Sequence, residues 1–162
     1  MVKEKTSKEM FKLCEKETKF LFQEEIDIRK IKAIKRLVEN DLQSIKKIMQ
    51  NISDFGWNII YKTYYDCLLM LVEAFLRFEQ IKSTNHQCVF AYLIEKHPEL
   101  ELDWNFFEKV RTKRNGSVYY GTQITLTDWN EVKVQLLLYV QTIEKALGEK
   151  IEEYELKNFD DE

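Results

Sequence analysis

Apolar residues recur along this chain at the three- and four-residue spacing of helices rather than in alternation. From Ile31 they fall at Ile34, Val38, Leu42, Ile45, Met49 and Ile52, a single stripe that requires a partner surface. Ser53 and Gly56 break this pattern. The next 25 residues, Trp57 to Ile81, are apolar on more than one face. At 1.5 Å per residue they would span about 37 Å, which suits the central helix of a bundle.

Thr6 and Glu9 stand three apart, as in a capping box, and predict a first helix from Ser7 to about Glu24, only loosely attached. Ser83, Thr84 and Asn85 form another break. A short helix is expected from about His86 to Lys96, ended by Pro98. Asp103 caps WNFFEKVRTKR, whose cations complement the negative end of the helix dipole, and Gly116 ends or bends that helix. Thr127 and Asp128 open a last helix with Val132, Leu136, Tyr139, Val140, Ile143 and Leu147 on one stripe, up to about Gly148. The expected fold is all-α, an antiparallel bundle of about five to six helices. A helical extension occupies residues 1–30, the bundle 31–148, and an acidic tail, continuing as a frayed helix, 149–162.

Composition supports the helical reading, because four glycines and one proline in 162 residues leave little material for a turn-rich β fold. A net charge of -3 gives no global case for a nucleic-acid binder, although a local basic patch stays open. The ends differ in sign: residues 1–50 hold thirteen basic and nine acidic side chains, residues 142–162 three and eight. Solvated helix faces explain this, or a site where charge steers a partner; the first is the simpler. Cys14, Cys67 and Cys88 have no paired spacing and MVKEKTSKEM is no apolar leader, so the expected location is the reducing cytoplasm. The longest apolar run, CLLMLV, is far short of the ~20 residues of a membrane span.

His86 and His97 are the only histidines, and no Cys, His, Asp or Glu set has metal-site spacing; neither metal nor cofactor is expected. Glu73 and Arg77, four apart, form either a surface ion pair or a carboxylate looking from a buried helix into a site. The stretch RTKRNGSVYYG, with Lys109 just before it, puts Arg111, Lys113 and Arg114 ahead of an amide and two phenols. One reading is a basic helix end, a glycine stop and two core tyrosines. The other is a phosphate site, since guanidinium forks bind phosphate oxygens and tyrosines supply hydrogen bonds or stacking faces.

Residues from about 31 to 148 resemble a HEPN domain. The resemblance is carried by the helix containing KTYYDCLLMLVEAFL, the connector NHQ, and RTKRNGSVYYG before a final apolar helix. Arg114 and Asn115 match the start of the family motif, Tyr120 and Gly121 its end, and Tyr119 stands where the family has histidine. The resemblance implies a helical bundle that dimerises, with two motifs at one cleft, and either metal-independent ribonuclease activity or nucleotide binding without catalysis. Some such nucleases are toxins paired with a small nucleotidyltransferase antitoxin, for which Tyr119 or Tyr120 would be a modification target. It further implies catalytic roles for Arg114 and Tyr119, substrate binding by Arg111, Asn115 and Tyr120, and orientation of Arg114 by Glu73. His86 resembles a histidine common at that connector and reads as structural. A tyrosine, with an ordinary pKa of ~10, is about 4 kcal/mol worse placed than histidine to take a ribose proton at neutral pH. Three functions follow: ribonuclease, non-catalytic RNA or nucleotide binder, and helical interaction module.

Overall fold

The computed structural model describes residues 4–159. It is an all-α bundle of six helices: α1 (Ser7–Lys16), α2 (Ile28–Met49), α3 (Trp57–Leu76), α4 (His86–Lys96), α5 (Trp104–Tyr120) and α6 (Leu126–Phe159). A small antiparallel pairing of β1 (Leu21–Phe22) with β2 (Ile81–Lys82) ties the α1–α2 connection to the segment after α3. Twelve of the twenty residues of α3 are buried, and it packs against α2, α4, α5 and α6. Its apolar character on more than one face is the reason it occupies the centre.

The first helix carries the expected capping box, with Thr6 accepting from the Glu9 N–H and the Glu9 carboxylate accepting from the Thr6 N–H. It ends at Lys16 rather than near Glu24, because Thr18 takes a positive φ and turns the chain toward β1. It is also firmly held. Met10 and Cys14 are buried, the Ser7 hydroxyl donates to Glu95 at 2.6 Å, and the Trp104 indole donates to the Lys5 carbonyl at 2.8 Å. Cys14 is disulfide-bonded to Cys88 of α4, 74 residues away, with the Cα atoms 5.7 Å apart. The expectation of unpaired cysteines is therefore corrected. Docking of α1 on α4 creates a proximity that spacing along the chain cannot reveal, and with it goes the support that unpaired cysteines gave to a reducing compartment. Cys67 remains a buried thiol, pushed up to about 12 mainly by burial.

Three further boundaries differ from the sequence pattern. The central helix stops at Leu76, where a 3-10 turn and left-handed Gln80 redirect the chain into β2. Helix α5 runs through Gly116 and ends at Gly121, which is left-handed at φ 66°. A glycine inside a helix costs only about 1 kcal/mol relative to alanine. Here Asn58 Oδ1 of α3 offsets it by accepting from the Ser117 hydroxyl at 3.1 Å and the Ile124 N–H at 2.7 Å. Helix α6 starts under a Thr125–Asp128 capping pair and passes through Gly148 without a break.

The acidic tail continues α6 as one helix to Phe159, with Ile151 buried. Lys32 of α2 pairs with Glu155 at 2.5 Å, and Lys32, Lys35, Arg36, Glu152 and Glu155 line one groove between the two helices. Part of the opposite charge of the two chain ends is thus spent within the molecule. No helix among the described residues is long and apolar enough to cross a membrane, and no group of three or more His, Cys, Asp or Glu is placed to hold a metal.

Candidate functional site

RTKRNGSVYY lies on the last three turns of α5, so helix periodicity decides which of its side chains meet. Arg111, Arg114, Asn115 and Val118, at positions i, i+3, i+4 and i+7, share one face. Tyr119 and Tyr120 follow Arg114 by five and six residues, which places both roughly 120–140° around the helix from it. They are 69% and 84% exposed, not core residues, because Gly121 ends the helix before anything packs over them.

Arg114 is drawn inward, its side chain 13% exposed. One Nη2 hydrogen bond reaches Asp66 Oδ1 of α3 at 3.1 Å, and the guanidinium stands 5.5 Å from the centre of the Tyr65 ring. Its Nε is buried without a hydrogen-bond partner. Arg111 forks onto Glu108, with Nε donating at 2.8 Å and Nη2 at 3.0 Å. Glu108 also accepts from Gln87 at the start of α4, at 2.7 Å. The two arginines are therefore tied to α3 and α4 through carboxylates.

Behind them Tyr65 is fully buried, its hydroxyl 2.9 Å from His86 Nδ1. Burial pushes the Tyr65 phenol up, and the two arginines only partly counter this. Burial, followed by the charges of Arg114 and Arg111, holds the His86 imidazole below its usual range despite the opposing Asp66. These surroundings favour the neutral form of His86. The opposite side of α5 borders a cleft of about 530 Å³, into which Tyr61, Thr112 and Gly116 face. Lys113–Asp128 at 2.6 Å and Lys109–Glu131 at 3.1 Å cross it.

The structure brings Arg111, Arg114 and Asn115 to one face; Tyr119, four residues after Asn115, borders it, and Tyr120 lies away from it. Glu73 is not beside Arg114: it lies two turns along α3 from Asp66, in a small cavity with Arg77, Lys82 and Ser83. Burial raises its carboxyl, with Arg77 and Lys82 opposing. The carboxylate beside Arg114 is Asp66, two turns nearer the start of α3 than Glu73. Asp66 is a polar residue within an otherwise apolar stretch of α3, but its partner is 48 residues away and no local spacing links them. Glu108 stands at the i, i+3 spacing of a helical ion pair with Arg111, and His86 has its likeness to the connector histidine; Tyr65 carries no sequence signal of joining the site.

Comparison with protein-family models, curated proteins and solved structures returns no match for this chain. The HEPN resemblance therefore rests on the residues quoted from the sequence.

Proposed function

We propose that this protein is a HEPN-like module that binds single-stranded RNA or a nucleotide through phosphate contacts on the Arg111–Arg114–Asn115 face of α5. The observation that carries this reading is Arg114 itself. A guanidinium has five N–H donors; Asp66 takes one of them, the Nε donor is buried, and the Tyr65 ring centre lies 5.5 Å from the guanidinium carbon. An arginine held in place with most of its donors unspent is suited to a phosphate oxygen. Tyr119 and Tyr120, exposed on the next turn, offer ring faces on which bases stack.

Binding without cleavage is the form the residues favour, because a tyrosine in the place of histidine is a poor proton acceptor at neutral pH. Total RNA incubated with the protein in EDTA is expected to stay intact; cleavage lost in Arg114→Ala would replace this reading with a metal-independent ribonuclease. Fluorescence anisotropy with a labelled single-stranded RNA tests the binding. Tyr119→Ala with Tyr120→Ala should weaken it by about 1–3 kcal/mol per stacked base, and an RNA that never binds at low salt would refute the proposal. A second copy of the chain and a nucleotidyltransferase partner belong to the same proposal; the exposed Tyr120 hydroxyl is accessible to such a modifying enzyme.

A further inference from the structure

The side chain of Tyr65 is fully buried, and its hydroxyl has one polar neighbour, His86 Nδ1. A buried hydroxyl hydrogen without an acceptor costs about 1–3 kcal/mol. The phenol therefore donates, and Nδ1 must be the bare, accepting nitrogen. In a neutral imidazole the proton then resides on Nε2. Among the described residues Nε2 meets no hydrogen-bond partner, so this N–H is unspent. His86 is the first residue of α4, at the positive end of an eleven-residue helix. The next residue, Gln87, bonds the same Glu108 that Arg111 grips.

We infer that His86 is a third phosphate-binding residue of the Arg111–Arg114 site, a neutral Nε2–H donor whose tautomer is set by Tyr65. The inference rests on the proposed function and assigns its ligand a phosphate ester oxygen. It gives this chain a histidine contact that arrives from α4 rather than from the motif on α5. His86 stands near Tyr65 and Asp66 of α3 and near Arg111 and Arg114 of α5. The two guanidiniums oppose an imidazolium there, so the donor is the neutral form. Glutamine can put an amide nitrogen near the Nε2 position and donate in its place; alanine cannot.

The test pairs a spectroscopic readout with binding. Nitrogen-15 NMR of the full chain labelled in histidine should show Nε2 protonated and Nδ1 bare for His86 between pH 6.5 and 8. In Tyr65→Phe that preference should be lost. Anisotropy with a labelled single-stranded RNA should show His86→Ala weakening binding about tenfold, with His86→Gln restoring most of it. An Nδ1–H tautomer or an imidazolium at pH 7 overturns the inference, as does His86→Ala binding like wild type while Arg114→Ala loses affinity. If wild type binds no RNA, the proposed function falls and this inference with it, a pattern distinct from the failure of His86 alone.

Discussion

Asp66 and Arg114 form the pair on which the site turns, and they make the first prediction at the scale of single residues. Asp66→Ala leaves a largely buried guanidinium without its carboxylate. Because Asp66 is itself 36% exposed, solvent moderates the loss to about 1–3 kcal/mol, readable in urea unfolding. A second prediction concerns His97, clasped by Glu79 at Nε2 and Glu99 at Nδ1 and set edge-on to Phe75. The Glu79 hydrogen bond, against opposing burial, raises the His97 pKa above 6.5. Its stabilisation is fully present below that unfolded value and fades as pH rises through the higher folded value. Glu79 is held below 4.5, burial being outweighed by His97, so its contribution disappears as pH falls through its folded value. The gap in thermal midpoint between wild type and His97→Gln should therefore be widest near pH 5–6 and narrow above neutrality. A constant gap from pH 5 to 9 would contradict the clasp.

For the elements, helix periodicity made the interiors of α2 and α6 legible, and both bounds of α4 follow from Asn85 and Pro98. Ends set by distant partners were not legible. Gly116 looks like a stop in isolation, and only Asn58, far away on α3, explains why α5 continues. The two glycines of the motif now make opposite predictions. At Gly116 an added Cβ would meet the Thr122 hydroxyl at 3.6 Å, an ordinary contact, so Gly116→Ala should stabilise by up to about 1 kcal/mol. At Gly121 nothing lies within 4 Å, but φ of 66° strains any side chain, and Gly121→Ala should cost about 1 kcal/mol. Chemical denaturation of both variants checks the sign; destabilisation at Gly116 and none at Gly121 would mean that the helix ends at the earlier glycine. The motif's arginines and amide stand out in the sequence, and Glu108 lies at ion-pair spacing from Arg111, whereas Asp66 and Tyr65 of α3 and His86 of α4 reach them only through the fold.

At the scale of the molecule, α1 and α6 reach beyond the stretch that the sequence pattern marked as the bundle and pack onto it, through Cys14–Cys88 and Lys32–Glu155. Closing a loop of 74 residues removes about 4 kcal/mol of unfolded-state entropy. Cys14→Ser or added reductant should lower stability by about that amount, measured by denaturation with and without reductant; an unchanged midpoint would mean that the bond adds nothing. The bundle thereby fixes α3, α4 and α5 against one another and presents Arg114 from a rigid wall. Whether that wall meets phosphate is decided most directly by the salt dependence of single-stranded RNA binding in wild type and Arg114→Gln. Loss of one phosphate contact should lower affinity about tenfold and make the slope of log affinity against log salt shallower by about 0.7. Equal affinity and equal slope in the two proteins would contradict the account.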